Sequence, residues 1–246
     1  MPSVHSNLVL DHLYFGATDE EFEEFKLIFS GFECADQQVV KTDTESWEGL
    51  YITTRGQNYF EVLRERRVAG IGIAERAFGP LSQNATDITY DFPDLPWQRF
   101  ERSIGGKPWF DAVSCDNYLD ISTPFNVWAM RVHQRESGRV VKLPKFEIDR
   151  ICNVEFSAHL DLLERIKLNS SWLNAKSSFS SDLVTLDIQT YYSDPLRVSI
   201  SLDNPEPGFK FRSATFGFRR PVEAACVALR LFSSTVDGEL LTISRN

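Results

Sequence analysis

Two strand-like segments of the sequence each carry a side chain that can bind a metal ion or move a proton. His12 lies within the run LVLDHLYF, and Glu61 lies within the run YFEVLR. An imidazole nitrogen and a carboxylate oxygen together suit Zn²⁺, Fe²⁺, Mn²⁺ or Ni²⁺. A carboxylate between Phe60 and Val62 is also costly to bury unless it is paired or coordinated. His12 and Glu61 are therefore candidate metal ligands, and Glu61 is also a candidate general base.

Each candidate has an ordinary structural alternative. A hydrogen bond to Asp11 would satisfy His12 within its strand. Glu61 would instead face outward from its strand or form an ion pair with a nearby arginine such as Arg64. His133, which ends the run FNVWAMRVH, is a further candidate ligand or acid–base catalyst. Its alternative is exposure to solvent, which is usual for a polar side chain at the end of a strand. The sequence leaves both interpretations open for all three residues.

Aromatic side chains recur close to these candidates. Alternate residues of a strand share one face, which places Tyr14 with His12 and Tyr59 with Glu61. Ligand pockets typically have apolar walls around a few polar groups. We expect a substrate pocket with aromatic walls formed by Tyr14, Tyr51, Tyr59, Trp109 and Trp128. Large aromatic side chains are more often part of a core, so core packing is the alternative for the two tryptophans.

The elements that must position these residues follow a β-α-β-β-β order near the N-terminus. Residue patterns predict four strands, over Leu8–Phe15, Gln38–Thr42, Glu48–Thr54 and Tyr59–Arg64. A helix capped by Thr18 or Asp19, with an apolar face from Phe22 to Phe29, follows the first strand. Gly31 follows the helix and ends it. A further strand begins at Gly70.

The third quarter of the sequence shows the same order. The predicted elements are a strand, a helix and three strands, over Ile148–Phe156, Leu160–Leu173, Leu183–Tyr191, Leu196–Leu202 and Phe209–Phe218. Alternation in the later strands is typical of half-buried antiparallel sheets. The sequence therefore predicts an α+β fold built from two βαβββ modules.

These patterns divide the chain into four parts. The two modules cover residues 8–78 and 148–220. Residues 79–147 form a long insertion, rich in Trp and Pro, with an added strand over Phe125–His133. Residues 221–246 form a C-terminal tail that begins with an Ala-rich helix ending at Phe232.

Composition disfavours several classes of protein. The chain has 246 residues, of which 42% are hydrophobic and 13% aromatic, unlike an intrinsically disordered protein. A net charge of −9 argues against a nonspecific nucleic-acid partner, because phosphates attract Lys and Arg. The sequence has no apolar run of the roughly 18 residues that a membrane helix needs, and its start is unlike a signal peptide. Dispersed cysteines are typical of reduced thiols, so we expect a cytoplasmic protein.

Paired βαβββ modules, with a histidine in the first strand and a glutamate in the fourth, resemble the vicinal oxygen chelate superfamily. This superfamily includes glyoxalase I, the extradiol dioxygenases, and the fosfomycin and bleomycin resistance proteins. The resemblance rests on LDHLYF at Leu10–Phe15 and YFEVL at Tyr59–Leu63. PWFDAVSCD at Pro108–Asp116 and FNVWAMRVH at Phe125–His133 are similar to an uncharacterised glyoxalase-like bacterial family.

The resemblance implies a fold and a ligand set. Each module would curl four strands into a half-barrel, and facing half-barrels would form a cleft whose metal ligands come from first and fourth strands. His12 and Glu61 would be the ligands of the first module. The matching positions of the second module are near Asn153 and near Ser199 or Ser201, which are weak ligands for a transition metal.

Two functions follow from the resemblance. The first is a glyoxalase-like metalloenzyme of the lyase, isomerase or dioxygenase type, in which a divalent metal chelates vicinal oxygens of the substrate; Glu155 would contribute if its strand register is shifted by two. The second is a metal-free protein of the same fold that binds small molecules or sequesters drugs. Both take a small-molecule ligand rather than nucleic acid or a membrane, as a monomer or homodimer. A third interpretation is a protein-interaction module whose contact surface is the Trp-containing insertion.

Overall fold

The computed structural model describes residues 8–32, 34–55, 58–65, 68–75, 98–114, 125–132, 148–170, 175–190, 194–206, 208–223 and 225–246. The strands of these residues form two eight-stranded sheets. His133 lies outside the described residues. Within the described ranges, no helix has the length and apolar character needed to span a membrane.

The N-terminal half of the chain forms the first sheet. Its strands are β1 (Leu8–Ala17), β2 (Ala35–Lys41), β3 (Ser46–Thr53), β4 (Tyr59–Arg64), β5 (Ala69–Glu75), β6 (Gln98–Ile104), β7 (Lys107–Ser114) and β8 (Phe125–Val132). Helix α1 (Asp19–Phe29) connects β1 to β2. The spatial order is β2-β3-β4-β1-β5-β8-β7-β6. The central strands β1 and β5 pair antiparallel, while β1 runs parallel to β4 and β5 runs parallel to β8.

The C-terminal half repeats this arrangement in the second sheet. Its strands are β9 (Ile148–Ala158), β10 (Ala175–Phe179), β11 (Leu183–Ile188), β12 (Leu196–Ser201), β13 (Phe209–Phe218), β14 (Ala225–Ala228), β15 (Phe232–Asp237) and β16 (Leu240–Arg245). A 3-10 turn (Leu160–Leu162) and helix α2 (Leu163–Ser170) connect β9 towards β10. The spatial order is β10-β11-β12-β9-β13-β16-β15-β14.

The α+β class and the paired-module architecture are confirmed, but the partner of the first module differs from the prediction. The predicted insertion, residues 79–147, supplies β6, β7 and β8, which complete the first sheet beside β5. The predicted second module belongs to a separate sheet with its own pair of units. The strands β6 and β7 escaped prediction because QRFERSI and KPWFDAVS contain charges and a proline that interrupt the alternation.

The predicted helix ending at Phe232 is wrong. Ala225–Ala228 forms the edge strand β14, which pairs antiparallel with β15. The turn between these strands is held by Glu24 of α1, whose carboxylate accepts hydrogen bonds from the backbone N–H groups of Leu231 and Phe232, each at 2.9 Å. Tertiary contacts therefore override the helix propensity of the alanines.

Helix α1 forms where the sequence provides a capping box. The Thr18 side chain accepts a hydrogen bond from the backbone N–H of Glu21, and the Glu21 carboxylate accepts one from the backbone N–H of Thr18. These bonds satisfy donors that the first helical turn leaves unpaired. The helix buries Phe22, Phe25 and Phe29 completely or nearly so.

The two sheets pack against each other through phenylalanine rings. Phe15 of β1 stacks on Phe211 of β13 with ring centres 4.8 Å apart. Phe125 of β8 stacks on Phe209 of β13 at 5.2 Å. Because side chains of a strand alternate between faces, His12 lies on the opposite face of the first sheet, which points away from this core. We call this opposite face the inner face.

The first sheet curls around the inner face until hairpins from its two edges touch. Asp43, in the β2–β3 turn, accepts hydrogen bonds from the backbone N–H groups of Gly105 and Gly106, in the β6–β7 turn, at 2.9 and 3.0 Å. The backbone N–H of Asp43 donates to the carbonyl of Ser103 at 3.0 Å. Both glycines have positive φ, 59° and 72°, as a two-residue hairpin turn requires. We call this contact between residues 42–45 and 102–106 the hairpin clasp.

Candidate functional site

The inner face gathers most of the residues that the sequence analysis selected. His12, Tyr14, Tyr51, Glu61 and Trp128 are all buried, and none is more than 6% exposed. Tyr59 stacks on His12, and Trp109 lies at the rim. Tyr14 stands opposite Glu61 in the register of β1 and β4. The predicted grouping of these side chains is therefore present in the structure, and their functional roles stay predictions.

His12 lies in an aromatic enclosure. Its ring stacks on Tyr59, with ring centres 4.8 Å apart and planes 10° apart. The edge of Trp128 approaches it at 5.1 Å. Its Nδ1 atom is hydrogen-bonded to the Asp11 carboxylate at 2.8 Å, which is the structural alternative that the sequence offered. This bond orients the imidazole and leaves Nε2 as the nitrogen that another partner can contact.

Two glycines of β5 make room for the rings of β1. A Cβ atom added at Gly72 would lie 2.3 Å from Cε1 of His12, and one added at Gly70 would lie 2.4 Å from the Tyr14 hydroxyl. Both distances are far below van der Waals contact. The segment GIGIAE, which does not match a dinucleotide-binding motif, therefore has a packing role beside the site.

Glu61 is hydrogen-bonded within the inner face. The indole N–H of Trp47 reaches both the Tyr51 hydroxyl, at 2.9 Å, and the Glu61 carboxylate, at 3.3 Å. Burial raises the pKa of Glu61, and the neighbouring His12 together with hydrogen bonds from Tyr51 and Trp47 opposes this rise. The site thus holds a carboxyl group that resists ionisation and is positioned by neutral donors.

The alternative interpretation of Glu61, an ion pair with Arg64, is wrong. The Arg64 guanidinium pairs instead with Asp19 and Glu23 of α1 and with Glu48 of β3. It also lies over the Phe22 ring at 4.5 Å. Arg64 therefore ties α1 to the sheet on the side away from the site.

The donor set does not fit a complete superfamily metal centre. In the second half of the first sheet, β5 and β8 occupy the places that β1 and β4 occupy in the first half. Their residues on the inner face are glycines in β5 and Asn126, Trp128 and Met130 in β8. None of these is an imidazole or a carboxylate. Among the described residues, no three His, Cys, Asp or Glu side chains are close enough to hold a metal ion together.

The positions predicted to match in residues 148–220 lie in the second sheet. Asn153 and Glu155 of β9 face the same side as Ser199 of β12, which stands opposite Glu155. Glu155 accepts hydrogen bonds from the Ser213 hydroxyl at 2.8 Å and from the Asn153 amide at 3.1 Å. These residues are therefore part of a half-exposed polar face and do not join His12 and Glu61.

Sequence reasoning missed two residues of the inner face. Trp47 escaped notice because Glu61 reaches it through strand pairing and Trp109 reaches it only when the sheet curls. Asn126 is 1% exposed, and its Oδ1 atom has no hydrogen-bond donor among the described residues. An asparagine between Phe125 and Val127 in a buried strand is the signal that could have identified it.

Comparisons with known proteins bear on the fold. No protein-family model and no curated protein matches the chain. Among solved structures, a hypothetical protein from Staphylococcus aureus aligns at TM-score 0.53 and 11% identity, over 90% of this chain and 96% of that one. This likeness shows that the two chains share a fold.

The strand order of the first sheet is the paired-module architecture that the resemblance to the vicinal oxygen chelate superfamily implies. Two further solved structures align at TM-scores below 0.5. An extradiol ring-cleaving dioxygenase from Brevibacterium fuscum aligns at TM-score 0.41 and 10% identity, over 82% of this chain and 55% of that one. A variant of glyoxalase I from Zea mays aligns at TM-score 0.30 and 10% identity, over 95% of this chain and 92% of that one. The chain therefore spans about half the length of the dioxygenase.

Proposed function

We propose that the inner face of the first sheet binds a small organic molecule without the metal centre of the superfamily. The observation that carries this proposal is that β5 and β8, the strands expected to supply the second half of the metal ligands, present neither an imidazole nor a carboxylate on this face. Where β5 and β8 would contribute metal ligands, they present Gly72 and Trp128 opposite each other. A glycine has no ligand atom in its side chain, and an indole N–H is a donor only.

The chemistry of the face indicates the class of ligand. His12, Tyr59 and Trp128 provide aromatic surfaces for a planar ring system. Glu61 with its raised pKa can donate a hydrogen bond as a neutral carboxyl, and Asn126 has an acceptor oxygen that lacks a described donor. These groups suit an uncharged, planar molecule that carries both a donor and an acceptor.

A thermal-shift screen in chelator-containing buffer tests this proposal. A ligand present at about 100 times its Kd stabilises a protein by about 2.7 kcal/mol, or roughly 5–10 °C for a chain of this size. We expect planar aromatic compounds to produce such shifts in the wild type and not in Trp128→Ala. Phe179→Ala, on the second sheet, is the matched control and retains the shift. Failure of every compound, or equal shifts in Trp128→Ala, would contradict the proposal.

The second candidate is a metalloenzyme of the lyase, isomerase or dioxygenase type. It is favoured by the burial of His12 and Glu61 on one face of parallel neighbouring strands. His12 and Glu61 would be its ligands. Metal content of the wild type and of Glu61→Ala distinguishes it from the first candidate.

A further inference from the structure

The hairpin clasp joins the two edges of the first sheet by polar contacts. Besides the bonds that Asp43 makes, the guanidinium Nε of Arg102 donates to the Glu45 carboxylate at 2.6 Å. Arg102 is 5% exposed and lies over the Phe100 ring at 5.2 Å. Asp43 itself is exposed. The clasp therefore has one partly buried ion pair and an exposed set of hydrogen bonds that solvent can replace.

A tryptophan connects the clasp to the candidate site. Trp47 follows the β2–β3 turn directly and stacks on Trp109, which follows the β6–β7 turn, with ring centres 6.3 Å apart. The same indole donates hydrogen bonds to Tyr51 and Glu61. Separation of the two hairpins would therefore remove the stacking partner of Trp47 and free its indole to turn away from Glu61, to which Tyr51 is also hydrogen-bonded.

The second sheet has the same strand order and a different contact at this place. Its β10–β11 turn is bonded locally, since the Ser180 hydroxyl donates to Asp182 at 2.8 Å and Leu202 donates to the Asp182 carbonyl at 2.8 Å. The polar face of that sheet is half exposed at Ser199 and Thr215. Among the described residues, the sheet that buries His12 and Glu61 is therefore the one that is closed by a hairpin clasp.

We propose that the hairpin clasp is a gate for the inner face, in which Trp47 is the positioning residue that couples closure to Glu61. When the clasp opens, the Trp47 indole leaves Glu61 and a small molecule can reach His12. When it closes, Trp47 returns and fixes the carboxyl beside the bound molecule. This inference depends on the proposed function in one respect, which is that the molecule that enters is the proposed ligand.

Carbethoxylation of His12 by diethyl pyrocarbonate measures opening without any ligand. The reagent is a small electrophile that reacts with accessible imidazole nitrogen, and peptide mass spectrometry reads each histidine separately. His12 is 2% exposed and His159 has a side chain 29% exposed, so His159 is an internal control for reagent and global unfolding. We expect Asp43→Ala to raise the rate at His12 about tenfold, the shift expected when two ordinary hydrogen bonds are lost. Asp182→Ala, in the matching turn of the second sheet, leaves both rates unchanged.

A double variant makes the test independent of stability. Residues 43 and 103 are joined by a backbone hydrogen bond of 3.0 Å, so Asp43→Cys with Ser103→Cys places two thiols within reach of a disulfide. The reduced form lacks the Asp43 carboxylate and is expected to label His12 as fast as Asp43→Ala. The oxidised form holds the clasp shut and is expected to label more slowly than the wild type. Wild-type protein under both redox conditions is the control.

Equal labelling of His12 in the oxidised and reduced forms would overturn the gate. That result would leave the binding proposal standing, because the screen does not depend on the route of entry. Conversely, a thermal-shift screen that finds no ligand would contradict the binding proposal. A redox-dependent labelling rate of His12 in the double variant would still support the gate. If Asp43→Ala also accelerates labelling of His159, the test of the gate rests on the double variant alone. The deciding quantity is then the ratio of the His12 labelling rates in its reduced and oxidised forms.

Discussion

Replacement of Gly72 by alanine tests the packing of the site. Alanine in a strand is normally favoured over glycine by about 0.5–1 kcal/mol. In this structure the added Cβ would lie 2.3 Å from Cε1, 2.6 Å from Nδ1 and 2.8 Å from Nε2 of His12, so the imidazole must shift from the position in which it stacks on Tyr59. Overpacking of this kind costs about 1–3 kcal/mol, which corresponds to a fall in Tm of about 2–12 °C. Urea unfolding and a thermal scan would measure both quantities.

A double-mutant cycle identifies the cause of that loss. His12→Ala removes the ring with which the new methyl group collides, so Gly72→Ala should cost nothing or be slightly stabilising in the His12→Ala background. Gly31→Ala is the matched control, because a Cβ at Gly31 meets no atom within 4 Å. An unchanged or higher stability of Gly72→Ala, or an equal loss in both backgrounds, would refute this account of the site.

Three further predictions concern buried polar groups. Because burial raises the pKa of Glu61, its stabilising contribution is present at low pH and is lost as pH rises above the ordinary glutamate value of about 4.3. The stability of Glu61→Gln relative to the wild type should therefore rise between about pH 4.5 and 8. A constant difference in urea midpoint across this range would contradict the prediction. Glu24→Gln should lower the free energy of unfolding by about 1–3 kcal/mol, because a neutral amide replaces the carboxylate that binds the backbone N–H of Phe232. Calorimetry would measure this loss, and a loss below that range would contradict the prediction. Burial raises the pKa of Cys34 to about 12, so a thiol reagent at pH 8 should modify the exposed Cys226 in the native protein and reach Cys34 only after unfolding, as peptide mass spectrometry would show.

Much of the fold was predictable where local pattern and tertiary environment agree. The strands Tyr59–Arg64 and Phe209–Phe218 begin and end as the sequence predicts, because each lies within a sheet that is buried on at least one face. The two strands that form in place of the predicted helix ending at Phe232 were not predictable from local sequence, because Glu24, some 200 residues earlier, binds the turn between them.

The candidate site was predictable in part for the same reason. His12, Tyr14 and Glu61 share a face because β1 and β4 alternate regularly and run parallel. The second half of the site was assigned to residues 148–220, since the strands β6 and β7 carry no clear alternation. The roles of Trp47 and Gly72 depend on the curl and register of the sheet, which a sequence pattern does not contain.

Metal content is the most direct test of the central claim that the inner face works without a metal centre. Protein purified without chelators and without a metal-binding tag would be analysed by inductively coupled plasma mass spectrometry, as wild type and as Glu61→Ala. The account predicts no stoichiometric Zn, Fe, Mn or Ni in either sample. Near-stoichiometric metal in the wild type that disappears in Glu61→Ala would contradict it and would assign His12 and Glu61 to a metalloenzyme.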